Sequence, residues 1–247
     1  MVDPATRWQR FEHKYLVDEA LARKLRASAA AYVAPDPFAA RFPGNRYAIS
    51  SLYLDAPSLK LFHETLEGQK QRFKLRVRSY SDDPATPLHF EIKRRLNGVV
   101  QKVRCSVSRE LGYALLEGST SDLSGLDEAK RRNLGEFLSL QQEIAAQPQV
   151  LVRYDREAYA GVFDPEVRLT FDRDLRTAVA RGYRVEVQRD DFLRVGDERV
   201  VVELKFDGRL PGWMSALVQR YQLDRLSFSK YGHSIQRAFP AGATTPM

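Results

Sequence analysis

The feature that most constrains the fold of this chain is a two-residue alternation that recurs along it with charge on one side. In "RFKLRVRSY", Arg72 to Tyr80, the side chains of Phe73, Leu75 and Val77 point one way, and those of Lys74, Arg76 and Arg78 the other. Period two over such a run marks a β-strand with one buried face. The same pattern opposes Arg10, Glu12 and Lys14 to Phe11, His13 and Tyr15, and Glu91, Lys93 and Arg95 to Phe90 and Ile92. It opposes Arg168, Thr170 and Asp172 to Val167, Leu169 and Phe171, and Glu203 and Lys205 to Val202, Leu204 and Phe206. "YRVEVQ" sets Arg184, Glu186 and Gln188 against Tyr183, Val185 and Val187, and in "RYAISSLYLD" Ser51, Tyr53 and Asp55 form the less apolar face.

A single strand of this kind needs only an antiparallel sheet with one solvated face. The series asks for more, because its polar faces lean to arginine and carboxylates rather than to Thr, Ser and Gln. Arginine is the side chain suited to bidentate contact with phosphate or carboxylate. The segments between strands also carry apolar helical stripes, such as Leu134, Phe137, Leu138 and Ile144, which need a sheet face to cover. With helices on the apolar outside, the charged faces turn inward. Unpaired buried charges cost several kcal/mol each, so such an interior must be wet and occupied. A polyanion in a tunnel satisfies this, and carboxylates among the cations would bind a divalent metal. Eight or nine strands with helices between some of them suggest an antiparallel α+β architecture, and that many strands could close into a barrel.

Helices are expected from Asp18 to about Val33 with Asp18 as N-cap, from Pro57 to Glu67, across Ser108 to Gln147, and from Pro211 to Leu223, with "SFSKYGHSIQRAF" closing the chain. "LNG", Leu96 to Gly98, reads as a tight hairpin turn. No break resembles a domain linker, so one domain is expected over residues 7–239, with 240–247 a disordered tail. No run of about 18 apolar residues suggests a transmembrane helix, and the opening stretch lacks the apolar core of a signal peptide. A lone cysteine, Cys105, fits a reducing compartment, and a cytoplasmic location is expected. The net charge of +7 points toward an anionic partner. Nucleic acid is not favoured, because the aromatics alternate away from the charges, toward the core. The chain has neither a GxxxxGK[ST] loop nor GxGxxG. His13, His63, His89 and His233 lie too far apart for a short metal motif.

The motifs "FEHKYLV", "SSLYLD", "FKLRVRSY", "FEIKRR", "YDREAY", "VRLTFD", "VVELKF" and "SFSKY", in this order from about Arg7 to Phe239, resemble the VTC-type polyphosphate polymerase domain of the triphosphate tunnel metalloenzyme superfamily, which also holds the CYTH proteins. The resemblance implies an α+β fold, an antiparallel eight-stranded β-barrel tunnel with helices packed outside, that binds ATP and inorganic polyphosphate or triphosphate, with Mn²⁺ or Mg²⁺ held by a carboxylate. Carried over, Arg76, Arg78, Lys93, Arg156 and Arg168 are the expected catalytic cations. Lys14 and Lys230 are expected on phosphate, joined by Arg10, Arg95 and Lys205 from the charged faces. Glu203 is the expected metal ligand, with Glu12 beside it. Arg156 fits the alternation less well, since Val152 and Tyr154 share its face. The CYTH branch opens with ExExK where this chain has Arg10, Glu12 and Lys14, which argues against the simple triphosphatase branch. Eukaryotic polymerases add a regulatory domain and membrane helices that this sequence lacks, so coupling to membrane transport would need a separate partner. Phosphoryl transfer from ATP to a growing polyphosphate chain is the leading expectation. A triphosphatase or polyphosphatase using water, and a non-catalytic polyphosphate-binding module, are the alternatives.

Overall fold

The structure, a computed structural model, describes residues 10–119 and 122–240. Its centre is one antiparallel sheet of ten strands: β1 (Arg10–Val17), β2 (Val33–Pro35), β3 (Arg46–Asp55), β4 (Gln71–Ser79), β5 (Leu88–Leu96), β6 (Val99–Val107), β7 (Gln147–Gly161), β8 (Arg168–Val179), β9 (Leu193–Arg194) and β10 (Val200–Asp207). The six α-helices are α1 (Glu19–Ala29), α2 (Lys60–Leu66), α3 (Arg109–Leu116), α4 (Glu128–Glu143), α5 (Gly212–Arg220) and α6 (Lys230–Ala238). The strand order is β2-β7-β3-β4-β5-β6-β1-β10-β8-β9, and β7 additionally pairs with β8. The sheet therefore curls until distant strands meet. The β6–β1 seam is narrow, with Arg10 opposite Val100 the one pair there among the described residues. The eight-stranded closed barrel is thus met only in its coarser form, a curled antiparallel sheet of ten strands with helices.

Local chemistry explains most element ends. Asp18 caps α1 by accepting from the Leu21 amide at 2.7 Å. Asn97 and Gly98, both with positive φ, turn the β5–β6 hairpin in two residues, the geometry that matches the right-handed twist of the flanking strands. Asp55, fully buried at the end of β3, accepts from the amides of Ala56, Leu61 and Phe62 and so caps α2. It also accepts from the Tyr231 hydroxyl at 2.6 Å, tying α6 to the same point.

Several expected boundaries move. The first helix stops at Ala29, and Val33 begins β2. Pro57 lies outside α2, which starts at Lys60 after Leu59 in the left-handed region. The stretch from Ser108 to Gln147 holds two helices instead of one. "YRVEVQ" is not a strand. Val185 and Val187 are buried as the alternation requires, but their amides donate to the Tyr113 hydroxyl and the Asp82 carboxylate, not to a neighbouring strand. Arg184 consequently lies over the outer ring of Tyr113 at 4.4 Å, and Arg184, Glu186 and Gln188 line no interior. The expected tail at 240–247 falls, from residue 241 on, outside the described residues.

The apolar strand faces point outward, to helices, as the alternation implied. One core joins Leu75, Val77, Phe90 and Ile92 to Leu115, Leu134 and Phe137 of α3 and α4. A second joins Tyr15, Leu169, Phe171, Val202 and Leu204 to Leu25 of α1 and Met214 of α5. The exception is α6. Tyr231 and Ile235 pack with Ile49, Tyr53, Val150, Val152 and Tyr154, on the same strand faces as the charges. That accounts for the mixed face of β7: Val152 and Tyr154 lie against the apolar side chains of α6, whereas Arg156 pairs with carboxylates. No helix among the described residues is long and apolar enough to cross a membrane.

Candidate functional site

Among the described residues, the concave face gathers Lys14, Lys74, Arg76, Arg78, Lys93, Lys102, Arg104, Arg156, Lys205 and Lys230, ten cations, around the carboxylates Glu12, Glu91, Asp172 and Glu203. Strand register brings them together. Arg76 lies opposite Glu91, which in turn lies opposite Arg104; Lys14 lies opposite Glu203, and Lys205 opposite both Glu12 and Arg168.

Two carboxylate-centred groups result. Glu91, fully buried, holds Arg76 at 2.6 Å and Lys102 at 2.6 Å, with Arg78 and Arg104 each at 3.7 Å. Arg76 also donates to the Tyr53 hydroxyl at 3.0 Å, and Arg78 to Ser51 at 3.3 Å. Burial opposes the charge on Glu91, but Arg78, Arg76 and Lys102 override it and hold the carboxyl well below its usual range. Lys102 is left as the weakest cation of the group: burial, opposed by Glu91 and aided by the two arginines, pushes it down to about 7.

In the second group Arg156 makes a bidentate contact with Asp172, 2.7 Å on each arm, and reaches Glu203 at 3.3 Å. Lys230, from α6, bridges Asp172 at 2.6 Å and Glu203 at 2.8 Å, while Lys205 pairs with Glu203 at 2.7 Å. Burial works against ionisation of Glu203, yet Lys205, Lys230 and Arg156 keep it well below its ordinary value. Lys14 sits 3.9 Å from Glu203 and donates to the Phe228 carbonyl at 2.8 Å; burial lowers it to about 8. Lys93 and Glu12 form a separate pair at 2.6 Å.

Most residues expected from the sequence converge here, and Arg95 stands apart. Arg168 lies at one mouth, in a cavity of about 140 Å³ with Arg156, Lys205, Thr170 and Tyr47, and is paired with Asp36 at 2.5 Å. Arg95 lies opposite Arg72 toward the hairpin end, away from both groups. Arg10 opens β1 opposite Asp207, and its side chain lies outside the described residues. The sequence reading missed Lys102 and Arg104, whose alternation in "VVQKVRCSV" was available, and the organising roles of Glu91 and Asp172. His13 packs edge-on against Phe206 at 5.0 Å, as expected for a residue on the apolar face.

Among the described residues no group of three or more His, Cys, Asp or Glu is placed to hold a metal ion. Both oxygens of Glu203 already face cations. A magnesium-type ion, however, needs only one or two protein carboxylates when substrate phosphates and water complete its shell. The donor chemistry of Glu203, with Glu12, fits an ion that arrives with phosphate and does not fit a stand-alone metal centre.

The VTC domain family model matches residues 9–239. No curated protein sequence matches the chain. Similar solved structures include a candidate adenylate cyclase from Bacillus halodurans, 11% identical, covering 88% of this chain and 94% of that one, with a TM-score of 0.48. A Pyrococcus horikoshii OT3 protein is 10% identical over 92% of this chain and 99% of its own, with a TM-score of 0.46. A candidate adenylate cyclase from Vibrio parahaemolyticus is 13% identical over 92% and 98%, also at 0.46.

Proposed function

The chain belongs to the VTC domain family, and from that premise we propose that it transfers phosphoryl groups from ATP to the end of an inorganic polyphosphate chain. The observation that carries this reading is the excess of cations over carboxylates on the concave face. The sequential pairing β7-β3-β4-β5-β6-β1-β10-β8 and back to β7 is read as the wall of a tunnel. Its lining suits a linear polyanion better than a compact one, because the surplus is spread over strands on all sides.

Phosphoryl transfer asks of a protein mainly positioning and charge stabilisation. Arg76 and Arg78, braced by Glu91, and Arg156, braced by Asp172, present planar donors to the oxygens of the transferring group. Lys14, Lys93, Lys205 and Lys230 hold the neighbouring phosphates, and Arg168 meets the substrate at the mouth. A terminal phosphate oxygen of the growing chain bonds to the γ-phosphorus of ATP. The bond from that phosphorus to the bridging oxygen breaks, and ADP leaves with the electron pair. The nucleophile is already anionic near neutral pH, so no general base is required. Mn²⁺ or Mg²⁺, when bound with the phosphates, would be held by Glu203 and Glu12 and would add charge neutralisation.

The test is incubation of the pure protein with ATP and Mn²⁺ or Mg²⁺, following free phosphate and acid-stable polymer separately. Polymer formed with ADP is the expected result, abolished in Arg76→Ala and Lys93→Ala variants whose circular dichroism is unchanged. Free phosphate alone identifies a hydrolase. Tight, salt-sensitive polyphosphate binding without turnover identifies a binding module.

A further inference from the structure

Lys74 has no role in the scheme above, although it shares the concave face of β4 with Arg76 and Arg78 and lies opposite Lys93 of β5. Lys14, Lys93, Lys102, Lys205 and Lys230 each have a carboxylate within 4.0 Å. Among the described residues Lys74 has none; its ammonium donates to the Ser229 hydroxyl at 2.8 Å and lies 5.9 Å from the Tyr231 ring. Lys14 approaches the same α6 entrance, through the Phe228 carbonyl at 2.8 Å, and its nearest carboxylate is at 3.9 Å. Lys93 shares the single carboxylate of Glu12. The least compensated positive charge of the concavity is therefore concentrated where β4, β5, β1 and the start of α6 meet. Burial, reinforced by Lys14 and Lys93, pushes the Lys74 ammonium well below its ordinary value, the behaviour of a cation that lacks its counter-ion.

An internal phosphate of a chain carries one negative charge, and a terminal phosphate group carries close to two near neutral pH. Three lysines, one with no carboxylate beside it and one with its nearest at 3.9 Å, match the second better than the first. Resting on the polyphosphate reading, we propose that Lys74, with Lys14 and Lys93, forms a subsite that recognises a terminal, doubly charged phosphate group. Such a group is offered by the end of a polyphosphate chain and by the γ-phosphate of ATP. The subsite distinguishes an end from the interior of the same polymer, a discrimination that the arginines around Glu91 do not supply. Ser229 holds the Lys74 ammonium in place when no phosphate is present.

The test compares binding of a short linear polyphosphate with that of the same polymer capped at both ends as neutral-amine phosphoramidates, which removes one charge per end. Calorimetry at fixed ionic strength on wild-type protein is expected to show about tenfold tighter binding of the free-ended chain, the effect of one charge-assisted contact. Lys74→Met is expected to reduce the free-ended affinity to that of the capped chain and to leave capped binding within about twofold of wild type. Lys74→Arg, which keeps the charge, is expected to retain the preference. Equal wild-type binding of both polymers, or an equal loss for both in Lys74→Met, overturns the subsite while leaving the polyphosphate reading intact. Failure of wild type to bind either polymer overturns the polyphosphate reading and the subsite with it. ATP and its γ-methyl ester, measured in parallel, tell which source is read: sensitivity of ATP to Lys74→Met assigns the subsite to the γ-phosphate, and sensitivity of polyphosphate alone assigns it to the chain end.

Discussion

Glu91→Gln isolates the part played by the internal carboxylates. Glu91 is fully buried and shared by Arg76 and Lys102 at 2.6 Å and by Arg78 and Arg104 at 3.7 Å. Glutamine keeps the size and one acceptor oxygen but leaves four cations facing one another. Removing one member of a buried ion pair costs about 3–5 kcal/mol. Lys102 and Arg104 are more than a third exposed, which screens their share of the repulsion, so the lower end, about 3 kcal/mol, applies. For a chain of this length each kcal/mol moves the melting temperature by about 2–4 °C, so the variant is expected to melt about 10 °C below wild type without phosphate. Tripolyphosphate supplies the missing negative charge from outside. It is expected to raise the melting temperature of the variant more than that of wild type at equal concentration. The assay is calorimetric melting of both proteins with and without tripolyphosphate.

Two outcomes refute this reasoning. A ligand-free variant that melts within about 2 °C of wild type means that Glu91 is not the counter-charge holding these cations. A variant that is destabilised, yet no more responsive to tripolyphosphate than wild type, means that Arg76, Arg78, Lys102 and Arg104 are not exposed to the ligand.

His89, beside Ser106 at 2.6 Å, is lowered to about 4 by burial and by Arg104, so it is neutral in the folded state over a range where it is protonated when unfolded. Its contribution is fully present above pH 6.5 and is lost as the pH falls toward 4, and His89→Gln should flatten urea-derived stability over that window. Gly161 ends β7 with no room for a side chain, because a Cβ there would meet the Asp164 carbonyl and crowd Val167. Gly161→Ala is expected to cost about 2 kcal/mol in urea unfolding, whereas Ala at Gly135, where nothing lies within 4 Å, should not.

The strands were legible because burial on one face imposes period two, and β3, β5 and β6 begin and end where the pattern does. Period two also identified the side chains of the concave face. It did not identify their partners, since that depends on register: Glu91 is unremarkable within β5 and becomes the hub only when β4 and β6 place Arg76 and Arg104 opposite it. Lys102 and Arg104 follow the same alternation in β6, opposite Val99, Val103 and Cys105. "YRVEVQ" misled for a related reason. Alternation reports burial of Val185 and Val187, and a chain whose amides bond to Tyr113 and Asp82 buries them as well as a strand does. The placement of α6 inside the sheet was hidden because its apolar residues, Tyr231 and Ile235, carry no mark of which sheet face they cover.

The internal carboxylates resolve a conflict that any polyanion tunnel faces. Ten cations turned toward one another would oppose folding, and enough carboxylates to neutralise them would exclude the ligand. Four shared carboxylates reduce the repulsion and leave the cations in excess. At Glu91 and Asp172, where Lys102 and Lys230 also pair, arginine adds a fork that can donate to a carboxylate with some of its five hydrogens and keep the others for phosphate. Lysine brings a point charge without that fork. On this account the same carboxylate that stabilises the empty protein also orients the guanidinium for the substrate. Removing it therefore affects stability and phosphate response in opposite directions, a pairing that neither a purely structural nor a purely ligand-binding carboxylate would produce.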